Sequence, residues 1–176
     1  MPMPNRTASF TARTLLLAAC VGSGHAGAAG HCDKGEVTYF SCKLSHSAKV
    51  VSLCGGRLTD PATQAVDPQR LSTMWLQYRF GKANTLELVF PSQVNGSLSR
   101  FKGEYHTGQS VSSSTVIFSN GNATYTVGTS FSALTSIGFD GVDIAQKGKR
   151  IALACDGKPA IDRDFGELVQ QLEPVK

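Results

Sequence analysis

From Val37 onward, apolar side chains recur at every second position, the spacing of strands with one buried face, while helical spacing is nearly absent. In the run from Val37 to Leu44, Phe40 and Cys42 share a face, and after the polar break SHSAK the residues Val51 and Leu53 return to it. That pattern predicts a hairpin. The tract from Arg57 to Arg70 is polar, has no period and contains Pro61 and Pro68, so it predicts a connecting loop without ladder pairing.

A second hairpin follows. Met74, Leu76, Tyr78 and Phe80 lie on one face, and Leu86, Leu88 and Phe90 return on it. A five-residue turn from Gly81 to Thr85 would set Phe80 opposite Leu86, Tyr78 opposite Leu88, and Arg79 opposite Glu87 on the outer face. Such a cross-strand ion pair contributes about 0.2 to 1 kcal/mol, so Arg79 has a structural reading beside a ligand-binding one.

After Pro91, the run RFKGEYHTG alternates Phe101, Gly103 and Tyr105, a shorter strand or an edge. Asn120-Gly121, between two alternating runs, is the strongest turn signal in the chain, because Asn and Gly tolerate the positive φ of a type I′ turn. With those two residues as the loop, Phe118 pairs with Ala123 and Val116 with Tyr125. Lys147-Gly148 repeats the logic, pairing Ile144 with Ile151 and Val142 with Leu153, with Cys155 on the same inner face. Only the tail changes period: Phe165, Leu168, Val169 and Leu172 fall at helical spacing, with Asp164 and Glu167 laid out as a capping box. The sum is an all-β fold, an antiparallel β-sandwich or small barrel of about eight strands with a short C-terminal helix.

The first thirty residues change the picture of charge and compartment. They carry Arg6 and Arg13, no acidic residue, the apolar run TLLLAACV and the small-residue tract GSGHAGAAG, the order of an export signal. Cleavage after Ala28 or just before His31 competes with a lipobox reading of LAAC, which would leave Cys20 acylated. The apolar run is far shorter than the roughly 20 residues of a spanning helix. Residues 31–176 then form one β domain of 146 residues, with fifteen Lys and Arg against thirteen Asp and Glu. A surplus of about +2 without a clustered basic face does not indicate a nucleic-acid partner. The expected location is periplasmic or secreted, with a membrane-anchored lipoprotein as the alternative.

Four cysteines remain: Cys32, Cys42, Cys54 and Cys155. In an oxidising compartment an even count reads as two disulfides, with three connectivities open. The first hairpin places Cys54 near the start of its partner strand, within reach of Cys32, which favours Cys32 with Cys54 and Cys42 with Cys155. Cys42 and His46 have a C-x3-H spacing, but no second close pair completes a metal set, and there is no C-x-x-C, so no metal and no cofactor is expected.

No G-x-S-x-G, H-E-x-x-H or glycine-rich phosphate loop is present. His106, beside Tyr105 and Glu104, is the first choice for a titrating group, although one imidazole without a positioned partner does not make a catalyst. Asp140 and Asp143 fall on opposite strand faces and so do not pair across a substrate. Residues 107–136 are rich in Ser and Thr, which gives either a solvated sheet face or a docking surface for a protein or glycan partner.

The order C…YFSC…KVVSLC…LQYRFG…LELVFP…GVDIAQKGKRIALAC resembles a group of small exported proteins of Gram-negative bacteria, which implies an envelope or secreted location and the four-cysteine arrangement. More distantly the chain is similar to the periplasmic inhibitors of lysozyme, small disulfide-bearing β-barrels that insert a Ser-Gly-x-x-Tyr-like loop into the enzyme's cleft. In SNGNATY that resemblance implies Ser119, Gly121 and Tyr125 as binding residues. The functional expectation is non-catalytic binding in the cell envelope, in its sharpest form lysozyme inhibition. The alternatives are a hydrolase or carbohydrate-active enzyme with a spatially assembled site, and a structural lipoprotein.

Overall fold

The structure, a computed structural model, describes residues 30–175. The export-signal and Cys20 readings rest on residues that lie, Gly30 apart, outside the described ones. The elements in chain order are β1 (Val37–Lys43), β2 (Lys49–Gly55), α1 (Pro68–Ser72), β3 (Leu76–Lys82), β4 (Thr85–Phe90), a 3-10 turn (Ser97–Arg100), β5 (Lys102–Thr107), β6 (Val111–Asn120), β7 (Ala123–Ser132), β8 (Ile137–Gln146), β9 (Lys149–Ala154), β10 (Ala160–Ile161), α2 (Phe165–Gln171) and β11 (Glu173–Pro174). They form a five-stranded sheet, β10-β1-β2-β3-β4, and a six-stranded sheet, β11-β5-β6-β7-β8-β9. Neither sheet closes on itself, so the fold is a sandwich and not a barrel.

The alternation explains the core. Phe40, Val51, Leu53 and Tyr78 of the smaller sheet meet Val116, Phe118, Val127 and Val142 of the larger one, all essentially excluded from solvent. Aromatic rings fill the centre: Phe118 stacks on Phe90 at 4.5 Å and on Tyr125 at 4.8 Å, with Tyr78 at 5.0 Å and Phe101 edge-on at 5.5 Å. Burying one such ring contributes on the order of 2 kcal/mol. The α2 face of Phe165, Leu168 and Val169 closes the core over β5 and β6, and Phe165 reaches Phe40 at 6.1 Å.

Three registers bear on the sequence reading. β8 and β9 pair as expected, Ile144 with Ile151 and Val142 with Leu153, around Lys147 and Gly148, both at positive φ. The β6–β7 turn is Gly121-Asn122 and not Asn120-Gly121, so Phe118 faces Tyr125 and Val116 faces Val127. Gly121, at φ 58°, supplies the positive φ at the first central position that a type II′ turn needs, so Asn120 stays in the ladder. In the β3–β4 hairpin an irregularity at Gly81 leaves only Ala83-Asn84 in the loop; Phe80 faces Leu88 and Arg79 faces Val89, not Glu87. Glu87 instead binds Lys49 of β2 at 2.6 Å. Both slips are of two residues, which preserves the face of every side chain.

Two local expectations are corrected. Pro68 begins α1: it sits in the first turn, where its missing N–H costs nothing, and Asp67 caps the helix by accepting from the Gln69 and Arg70 amides at 2.9 and 3.3 Å. The same connection also carries a bridge between Thr59 and Val66. The capping box at α2 does not form, because the Asp164 carboxylate accepts the Thr59 hydroxyl proton at 2.5 Å and ties the loop to the helix.

Candidate functional site

Polar side chains gather in two places. The first is the outer face of the smaller sheet, which residues 30–36 cross like a strap. Cys32 is joined to Cys54, and Cys42 to Cys155, so one bridge pins the strap to β2 and the other ties β1 to the end of β9. Beneath the strap lies Arg79, buried. Its guanidinium donates to both Glu36 carboxylate oxygens at 2.7 and 2.8 Å, to Gln77 Oε1 at 2.8 Å and to the His31 carbonyl at 2.7 Å. Ser41 and Ser52 share a 2.8 Å hydrogen bond, and Ser52 also accepts from the His31 amide. The His31 ring reaches the carbonyls of Val50 and Gly81 at 3.2 and 3.1 Å. Every charged or hydroxyl group in this cluster has a partner, which assigns Arg79 a fastening role. Cys32, Glu36 and Cys54 come close enough for a metal set, but both sulfurs are spent in the disulfide.

The second place is the far end of the larger sheet. β6, β7 and β8 are ten residues long, against six or seven in β1 to β4, so they run past the smaller sheet. Alternation carries the inner face outward in rows. The row Gly103, Val116, Val127, Val142, Leu153 is core; the next is Tyr105, Ser114, Thr129, Asp140; the last is Thr107, Ser112, Phe131, Gly138. These last two rows line an open cleft of about 370 Å3, bordered by His106, Ser113 and Ser130. Tyr105 and Phe131 are 46% and 48% exposed, and Tyr105 stands beside Gly166 of α2. Ser114 Oγ is buried without a hydrogen-bond partner among the described residues. Burial holds the Asp140 carboxyl above the usual carboxylate range. Beyond the cleft the β7–β8 loop carries Leu134, 80% exposed.

On the opposite face, Asp143 is engaged by Arg150 through Nε at 3.1 Å and Nη2 at 2.6 Å. That contact holds the Arg150 pKa up, and alternation along β8 keeps Asp143 on the face opposite Asp140. Glu104 and His106 both lie on exposed β5, at positions whose side chains alternate away from the core face.

The set Ser119, Gly121 and Tyr125 sits at the other end of the sandwich and does not share one surface. Ser119 and Gly121 are exposed at the turn, whereas the Tyr125 ring is stacked on Phe118 and lines an apolar slot of about 340 Å3 with Phe80, Leu88, Ile144 and Leu153. The structure thus puts Tyr105 in the cleft with His106 at its border, and separates from them Arg79 and the Ser119 turn. Ser114, Thr129 and Phe131 fall within the Ser- and Thr-rich tract 107–136 but are not picked out individually by the sequence, and Asp140, set aside there as a partner for Asp143, joins them in the cleft. The signal for them is the strand length, ten residues of pairing where the covering sheet offers seven. Comparison with family models, curated proteins and solved structures finds nothing that matches this chain.

Proposed function

We propose that this protein is a non-catalytic binding module of the bacterial cell envelope, periplasmic or secreted, whose recognition surface is the overhanging end of the six-stranded sheet. One observation carries the reading: a sheet face with the parity of the core continues for two further rows without a covering layer, and those rows hold aromatic rings, hydroxyls and one carboxylate. Soluble proteins seldom leave large aromatic side chains bare beside unpaired polar groups unless a partner covers them. The two disulfides support an oxidising compartment. No helix among the described residues is long and apolar enough to cross a membrane.

A non-catalytic role is favoured over hydrolysis because His106 and Glu104 make no side-chain hydrogen bond to orient them among the described residues, and a general base needs a positioned partner. The test is a photo-crosslinking residue placed at Leu134 and, in a second variant, at Ser119, each exposed in intact envelopes. Adducts from position 134 with none from 119 are the expected result. Adducts from 119 alone, lysozyme inhibition abolished by Ser119→Ala, or turnover of an envelope polysaccharide would each remove the proposal.

A further inference from the structure

The polar clusters elsewhere in the fold are closed on themselves: Arg79 with Glu36, Asp143 with Arg150, Thr59 with Asp164. The cleft is not. Among the described residues Ser114 Oγ has no hydrogen-bond partner and Asp140 faces no cation. Next in the strand, on the opposite face, Thr115 is only 9% exposed and its hydroxyl is likewise unpaired. Buried hydroxyls are normally satisfied, so an unpaired one lining a cleft marks an interaction that a ligand completes.

The chemistry of the lining narrows the ligand. An ionised Asp140 only accepts, so the ligand must donate to it; Ser114 and Thr129 both donate and accept. Tyr105 and Phe131 are about half exposed, and aromatic rings favour a flat apolar partner. Among the described residues no lysine or arginine lines the cleft, which disfavours phosphate, sulfate or carboxylate groups. A pyranose meets all of these demands at once, with C–H faces for the rings and hydroxyl or amide donors at its edge. The floor's own backbone groups are already paired across the sheet, so a peptide would add at the β5 edge and not across this face.

We propose that the cleft binds a glycan through an uncharged or amino-substituted hexose, its ring face on Tyr105 and Phe131 and its hydroxyl or N–H donors on Asp140, Ser114 and Thr129. This names the ligand of the recognition surface proposed above and rests on that reading. Burial of Asp140 agrees with an acceptor that gains a donor when the cleft fills.

The experiment is an amide-shift titration of the protein with tetramers of glucose, N-acetylglucosamine and glucosamine, with dextran sulfate as the anionic control. At least one tetramer should shift amides within residues 105–114 and 129–140, and dextran sulfate should not. Tyr105→Ala and Phe131→Ala should each weaken binding about tenfold, as lost ring contacts do. Asp140→Asn should weaken it by about the same factor, most for the glucosamine tetramer. Both aromatic side chains are half exposed, so unchanged melting temperatures will show that the variants fold. The inference is overturned if no tetramer shifts any amide up to about 10 mM, if dextran sulfate binds equally, or if all three variants bind as the parent does. Were crosslinks from position 134 to trap a protein while every tetramer failed, the recognition surface would stand and the glycan would fall. Sugar shifts confined to the Ser119 turn would sink both.

Discussion

The two sheets treat their polar side chains in opposite ways. On the outer face of the smaller sheet, Arg79, Ser41 and Ser52 are buried under the strap, and with the strap's own half-buried Glu36 they are satisfied at nearly every donor and acceptor. At the overhang of the larger sheet Ser114 Oγ is buried and, among the described residues, unpaired, as is the hydroxyl of Thr115 on the other face of the same strand, and Asp140 faces no cation there. Burial alone therefore does not separate scaffold from site. Saturation does: a group whose bonds are complete in the isolated chain is part of the framework, and one whose bonds are missing is available to a ligand.

Removing the fastening should cost most. Cys42→Ala with Cys155→Ala frees a connection spanning 113 residues, and loss of such a bridge should lower stability by about 4 kcal/mol in urea unfolding. A cost below that of opening Cys32–Cys54, whose separation is 22 residues, would show that strain or residual unfolded structure dominates. Glu36→Ala should cost about 3 kcal/mol, because it strands a buried guanidinium. Pairing it with Arg79→Met should recover most of that loss, which a double-mutant cycle reads directly. No recovery would mean that Arg79 is held by the His31 carbonyl and Gln77 more than by its carboxylate.

The alkaline limb sharpens the view of the core. Burial raises the pKa of Tyr78 and of Tyr39, so the folded chain keeps two phenol protons that the unfolded chain gives up from about pH 10. Stability is then full below the unfolded value and falls as pH rises toward the folded one, by at most about 1.4 kcal/mol per pH unit for each tyrosine. Melting temperatures between pH 8 and pH 12 should show that decline, and Tyr78→Phe should make it shallower; an unchanged slope would show Tyr78 ionising without unfolding. The smallest effects bear most directly on the comparison. Ser41→Ala removes a hydroxyl that donates to the Val51 carbonyl and bonds Ser52, and should cost about 1 kcal/mol. Ser114→Ala and Thr115→Val remove unpaired hydroxyls and should be neutral or slightly stabilising by the same measure. Equal costs at the two sheets would erase the distinction.

Much of the fold was legible in the sequence because alternation survives errors of two. Two-residue slips at Gly81 and at Gly121-Asn122 changed partners but not faces, so Tyr78, Phe118 and Tyr125 still point inward. The partners themselves were less secure. Arg79 lost Glu87 to the slip and found Glu36, which lies forty-three residues away in an N-terminal segment with no periodicity to place it. Asp164 resembled a cap by spacing alone, and a tertiary contact with Thr59 took its carboxylate. The cleft was visible as serine and threonine richness, yet its exposure depends on how far one sheet extends beyond another, which no local pattern records.

One consequence concerns the row Thr115, Gly128, Gly141, Ala154, which crosses the larger sheet just before the overhang. Gly128 and Gly141 face each other at φ 149° and 150°, and a methyl group on either would run into the backbone carbonyl of Ser114 or of Leu153. The ladder runs through that row without a shift of register. Each strand can lie this near its neighbour's backbone only because no Cβ stands between them. Alanine at either glycine would have to push the neighbouring strand away, shifting the bare end without altering a single side chain that lines it.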